Sequence, residues 1–253
     1  MTARTNPSFR ATKAFCVGQA KSGTASLCGL LAKNYRAAHE PERAQLLAMI
    51  LEESRGQIVG KDFYAYLLER DRRLNLEYDI AWANQFIMGY LLEAFPDARF
   101  IVLIRDVESW LRAIVGHLLS RKIPSDVRAF LDWWFKPAQY PHSRGDRALA
   151  TQGLYSMAAF LNAWNRHLNS CIQTIPPDKR LILRTDELNQ SHQRLASFLK
   201  IPVAQLDTLN GHLNRGTWSG ELDGLVERAY LDEMIAQICG ENMRRYFAST
   251  GHG

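Results

Sequence analysis

Five consecutive apolar residues, FIVLI at 100–104, constrain the fold more than any other feature of the chain. Successive side chains of a strand point to opposite faces, so an unbroken branched and aromatic run is stable only where both faces are covered. A central strand of a parallel sheet, with helices above and below it, meets that condition. The flanking sequence alternates to match. AFCVG at 14–18 reads as a strand ending in glycine, and Leu27, Leu30 and Leu31 then recur at helical spacing over 24–35. Further helical periods lie at 42–53, 108–119, 148–171, 191–199 (with Ser191 as N-cap) and 224–247. Weaker strand runs lie at 58–62 (IVGKD) and 180–183. This order predicts an α/β protein: a three-layer, P-loop-like fold with a central parallel sheet flanked by helices. Residues 1–12 read as a flexible lead-in. Residues 121–145, with Pro124, Pro137, Pro141 and Gly145 around FLDWWF, read as an irregular excursion on the substrate side.

The 253 residues show no repeat and no linker, so 1–253 is expected to form a single domain. A content of 47% hydrophobic and 23% charged residues supports a core of ordinary size and excludes a disordered chain. Thirty-one Lys and Arg against 26 Asp and Glu leave +5, with no dense basic run. That balance favours a small polyanionic ligand over nucleic acid. Cys16, Cys28, Cys171 and Cys239 have no C-x-x-C spacing and read as reduced thiols, which points to a cytoplasmic protein. The N-terminal residues lack an apolar signal segment, and the longest uncharged stretch, 148–165, is too polar to span a membrane.

Between the first strand and the first helix the chain reads Gly18-Gln-Ala-Lys21-Ser22-Gly23-Thr24-Ala25-Ser26. A turn there aims backbone N–H groups and the positive end of a helix dipole at one spot, to which Lys21, Ser22, Thr24 and Ser26 add side-chain donors. Small polar residues alone would describe a solvated loop; the lysine shifts the reading to an anion cradle. The pattern differs from the nucleotide-triphosphatase P-loop, because Lys21 precedes Gly23 instead of following it. The strand at 100–104 also ends in Arg105-Asp106 and not directly in a magnesium-binding acid. The protein's own cations would therefore meet the ligand's charge, and no metal site is expected.

These residues resemble the sulfotransferases that use 3'-phosphoadenylyl sulfate (PAPS), and most closely bacterial members acting on small metabolites. AKSGTASL resembles their 5'-phosphosulfate loop, RFIVLIRDVESWL their 3'-phosphate strand and helix, LILRTDEL a late strand motif, and HLNRGTW a C-terminal basic loop. The four segments keep the family's order over 14–218. The resemblance implies that Lys21 bridges the 5'-phosphate and the transferring sulfuryl group, while Ser22, Gly23, Thr24, Ala25 and Ser26 wrap the phosphate. It also implies that Arg105 takes the 3'-phosphate, clamped by Arg215 and Gly216, with adenosine 3',5'-bisphosphate as product. The family usually has a serine eight residues after this arginine. Here that position is Ala113, and Ser109 lies one helical turn earlier.

Transfer to a small hydroxylated acceptor needs a base at the acceptor oxygen. In several branches of the family a Glu shortly after the first helix serves, and here that place holds His39-Glu40-Pro41. Glu40 is the first candidate and His39 the second; the competing reading is that both cap the following helix. Asp62 and Asp79 are lesser candidates, as acids at strand ends often bind only backbone or arginine. Trp133, Trp134, Phe135, Tyr140 and Tyr155 can line an acceptor pocket, although such aromatics more often pack a core. Two other functions fit the turn: a magnesium-dependent P-loop kinase of small molecules, and a catalytically silent nucleotide-binding protein. The position of Lys21 counts against the first, and Ala113 keeps the second open.

Overall fold

The computed structural model describes residues 10, 12–209 and 222–248. In chain order the elements are β1 (Ala14–Cys16), α1 (Thr24–Leu31), β2 (Ala37–His39), α2 (Arg43–Ser54), α3 (Gly60–Leu74), β3 (Tyr78–Ile80), α4 (Met88–Ala94) and β4 (Arg99–Ile104). There follow α5 (Val107–Leu119), α6 (Ser125–Phe135), α7 (Arg147–Thr151), α8 (Met157–Thr174), β5 (Arg180–Arg184), α9 (His192–Leu199) and α10 (Arg228–Phe247). They fall into two compact units. One lies within Met1–Gly18, Gly23–Leu103 and Thr174–Asn214, the other within Gln19–Ser22, Ile104–Gln173 and Arg215–Gly253.

The first unit is built on a central parallel sheet flanked by helices, in the order β2-β3-β1-β4-β5. The FIVLI run takes an interior place, between β1 and β5, as its apolar continuity requires. Alternation decides the two faces. Ala14, Cys16, Tyr78, Ile80, Ile101, Leu103 and Leu183 meet Leu27, Leu30 and Leu31 of α1 and Leu195 and Leu199 of α9. The opposite face carries Phe15, stacked with Phe100 at 5.8 Å and against Phe95 at 5.3 Å. Register fixes the functional edge: Cys16 and His39 both align with Ile80, from either side of β3. The chain leaving β1 and the chain leaving β2 therefore emerge at the same edge, two strand spacings or roughly 10 Å apart. In open parallel sheets that carboxyl edge is where ligands bind.

Three expectations are corrected. The segment 58–62 is not a strand: only Val59 is extended, as the N-cap of α3, and Phe63, Leu67 and Arg70 form the buried face of a helix that begins at Gly60. The helical period outweighs two β-branched residues. The helix read at 148–171 is two helices, because Gly153 turns at φ 66 and Asp146 Oδ2 accepts from the Met157 amide at 2.7 Å to start α8 afresh. The region 121–145 is not wholly irregular either: α6 occupies its centre and buries Phe130, Leu131, Trp134 and Phe135. The short strands β2 and β3 were not legible as such.

Candidate active site

The turn after β1 passes from one unit to the other and back. Val17 N–H still donates to Ile101 at 2.9 Å, continuing the β1–β4 ladder. Gln19 O then accepts from the Ser22 amide at 3.1 Å and from the Ser22 hydroxyl at 2.6 Å, closing a four-residue turn. Lys21, its third residue, sits at φ 70, the conformation that a type II turn reserves for glycine. Gly23 follows at φ 95 as N-cap of α1, and a Cβ there would lie 3.2 Å from Thr185 Cγ2. Among the described residues no side-chain hydrogen bond caps α1 at Gly23, and the amides of its first turn, Thr24, Ala25 and Ser26, lie before the helix's own hydrogen-bond ladder begins.

In the second unit, Arg105 is tied to the same turn. Its Nη1–H donates to the Lys21 carbonyl at 3.0 Å and its Nε–H to Ser109 Oγ at 3.1 Å. Asp106 caps α5, accepting from the Ser109 amide at 2.9 Å and from the Ser109 hydroxyl. Ser109 therefore stands beside Arg105, while Ala113, one turn on, is buried. Burial pulls the Lys21 ammonium below the ordinary lysine range, and the Arg121 and Arg105 charges pull it further. Among the described residues no carboxylate or hydrogen-bond acceptor engages Lys21 Nζ. The Arg105 and Arg121 charges thus add to that of Lys21, with Asp106 acting on Arg105, a setting that an anion would stabilise.

In the first unit, Thr24 Oγ1 lies 3.0 Å from His39 Nε2. Glu40, at φ 54, turns its backbone N–H to Ile80 O at 3.0 Å, and its Oε1 accepts from the Trp82 amide at 3.2 Å. Its second carboxyl oxygen is buried with no hydrogen-bond partner. Burial pushes the Glu40 pKa up to about 7; the Trp82 amide and Arg43 hold it down and Asp79 adds to the rise. His39 moves the other way, below its ordinary value, through burial and Arg43. The capping reading fails for both, since the N-cap of α2 is Glu42.

A sulfotransferase-domain family profile matches residues 13–210. The chain belongs to the sulfotransferase family. Among solved structures it is similar to a sulfotransferase from Alicyclobacillus acidocaldarius, at 16% identity over 92% of this chain and 96% of that one, with a TM-score of 0.51. A sulfotransferase domain from the curacin biosynthetic pathway aligns at 10% identity over 77% and 76%, TM-score 0.41. No curated protein matches.

The sulfotransferase carries further site-building residues that sequence reasoning missed. Trp110 Nε1–H donates to Ala20 O at 2.9 Å, Gln19 Nε2–H to Ala163 O at 3.1 Å, and Trp164 Nε1–H to Arg105 O at 2.9 Å. A buried indole N–H must find an acceptor, and that requirement is the only signal the sequence offered for Trp110 and Trp164. Asp79 is a structural acid, held by Arg70 at 2.5 Å, and Asp62 sits in the first turn of α3. Phe135 packs against Trp134, Tyr155 and Phe160 at 4.5 to 4.9 Å, so that part of the aromatic cluster is core. All four cysteines are buried and stand outside any disulfide. Arg215 and Gly216 lie outside the described residues. Among those described, no group of three His, Cys, Asp or Glu can hold a metal, and no helix is long and apolar enough to cross a membrane.

Proposed function

We propose that this sulfotransferase moves a sulfuryl group from PAPS to a hydroxyl of a small molecule, leaving adenosine 3',5'-bisphosphate. The observation that carries the reading is the Lys21 ammonium, unengaged among the described residues and presented by a left-handed turn that Arg105 ties down. When bound, PAPS supplies an activated sulfuryl group on a phosphate leaving group. The first-turn amides of α1, with the Thr24 and Ser26 hydroxyls and the Gly23 backbone, suit the 5'-phosphate, while Ser22, whose amide and hydroxyl both donate to Gln19 O, shapes the turn and joins the phosphate wrap through the family resemblance alone. Arg105, oriented by Ser109, suits the 3'-phosphate, and the family resemblance adds Arg215 and Gly216. Lys21 offsets charge gathering on the leaving oxygen. Glu40 takes the acceptor proton: with a pKa of about 7 it is half ionised at neutral pH, close to the optimum for a general base. His39, bonded to Thr24, is the second candidate. The same reading treats 1–253 as one sulfotransferase-like domain, and the buried, unbridged thiols support a cytoplasmic setting.

Thermal stability with added nucleotides tests the donor. Adenosine 3',5'-bisphosphate should raise the midpoint far more than AMP, on the scale of about 2.7 kcal/mol at a hundredfold excess over Kd. Arg105→Ala should erase most of that difference. Equal stabilisation by the two nucleotides would refute the donor assignment, and selective stabilisation by ATP with magnesium would favour a kinase.

A further inference from the structure

A buried arginine stands behind Glu40. Arg70 is 3% exposed, on the face of α3 that otherwise offers Phe63 and Leu67 to the core. Its Nη1–H donates to Asp79 Oδ2 at 2.5 Å and its Nη2–H to the Pro41 carbonyl at 2.9 Å. Asp79 is 2% exposed, and Asn84 Nδ2–H donates to its Oδ1 at 3.3 Å. Apolar side chains of similar volume commonly stabilise a core as well as such a pair does, or better. Stability alone therefore gives no reason for an ion pair here.

The carbonyl that Arg70 grips gives one. Pro41 lies between Glu40 at φ 54 and Glu42 at φ 51, two non-glycine residues in the left-handed region. Such backbone persists only where its surroundings over-determine it. Glu40 is held by Ile80 O and the Trp82 amide, and Glu42 by the Arg73 guanidinium at 3.0 and 2.8 Å. Arg70 supplies the bond between them. We infer that Arg70 is the positioning residue of Glu40, fixing the bend at 39–42 that presents the carboxyl and keeps it from water. The inference rests on Glu40 being the acceptor base. The charged and titratable groups around Glu40 are His39 of β2, Arg43 of α2, Arg70 of α3, Asp79 of β3 and Cys16 of β1. Because Asp79 neutralises Arg70, the guanidinium organises the bend without holding Glu40 ionised.

The test is a side-chain ¹³C titration of Glu40 in the ligand-free protein, assigned by its loss in Glu40→Gln. The double variant Arg70→Met, Asp79→Leu removes the pair without stranding a charge. The expected result is a folded protein whose affinity for adenosine 3',5'-bisphosphate changes less than twofold. Its Glu40 midpoint should fall by one pH unit or more as the bend relaxes into water. An unmoved midpoint in the folded double variant overturns the inference. Should that variant not fold, Arg70→Lys keeps the charge but loses the fork; an intermediate fall supports the inference and no fall overturns it. Failure of the base reading is separate: Glu40→Gln with undiminished turnover removes Glu40 from the mechanism whatever the titration shows.

Discussion

Lys21 joins backbone strain to charge at one residue, and two substitutions separate them. Lys21→Gly relieves the left-handed backbone while adding unfolded-state entropy, so its stability should stay within about 1 kcal/mol of the parent. Turnover should nonetheless fall about 100- to 1,000-fold, as in Lys21→Ala, because both remove the charge facing the leaving oxygen. Steady-state rates beside a denaturant melt decide this; a Gly variant with parental turnover would leave Lys21 only a turn former. Glu40 and His39 are told apart by pH. A base of pKa about 7 works only when ionised, so turnover governed by Glu40 should climb through about pH 7. His39 is shifted below its ordinary value of 6.5, so a rise confined below that pH would assign the proton to His39 instead. The places of Lys21, in the turn after β1, and Arg105, at the end of β4, were legible because a continuous motif and an unbroken strand set them, whereas Glu40 follows β2 and was reached through the family resemblance. Trp110, Gln19 and Arg70 were not, since what a buried donor does depends on acceptors that sequence spacing does not mark, up to 144 positions away.

Elements were legible where one period ruled them. FIVLI, RLIL and the Leu27, Leu30, Leu31 stripe gave β4, β5 and α1. By contrast, β2 is AAH, with no residue of high strand propensity, and β3 is YDI, whose centre is a buried acid made tolerable by Arg70 and Asn84. Neither can look like a strand until its partners are known. The same holds for the turns that join helices in the second unit. At Gly145, in the turn Arg144–Asp146 that precedes α7, an added Cβ would meet Tyr230 Cδ2 of α10 at 2.6 Å. Gly153, at the break before α8, has nothing within 4 Å but turns at φ 66. Gly145→Ala should therefore cost about 1 to 3 kcal/mol through displacement of the Tyr230 ring, whose hydroxyl bonds Ser143 at 2.7 Å. Gly153→Ala should cost about 1 kcal/mol through backbone alone. Truncating the ring in Tyr230→Ala should abolish the extra penalty of the first and leave the second unchanged. A Gly145→Ala penalty that persists without the ring would refute the steric explanation.

For the whole molecule, the pH dependence of folding gathers these local effects into one curve. Glu42, Glu108, Asp186 and Asp223 are held below the ordinary carboxylate range. Hydrogen bonds from arginines lead in Glu42, Asp186 and Asp223 and prevail over burial in Glu108. Their contributions are present above the unfolded values and are lost as pH falls. Glu40 acts with the opposite sign. Its folded value, about 7, exceeds the unfolded 4.5, so the folded state binds the extra proton between them. The contribution is fully present below pH 4.5 and is lost as pH rises through about 7. The full span corresponds to about 3 kcal/mol, at about 1.36 kcal/mol for each pH unit. Burial is the leading cause, so the loss measures what it costs this chain to keep a base ionised away from water. Glu40→Gln keeps the shape and removes the titration. Between pH 4.5 and 7 the variant should gain stability relative to the parent, by an amount that grows with pH and levels off above about 7. Contributions from the arginine-bonded carboxylates Glu42, Glu108, Asp186 and Asp223 cancel in the difference. Chemical denaturation of both proteins across that range measures it, and a difference that is flat with pH would show that Glu40 ionises in the folded protein as it does in the unfolded chain.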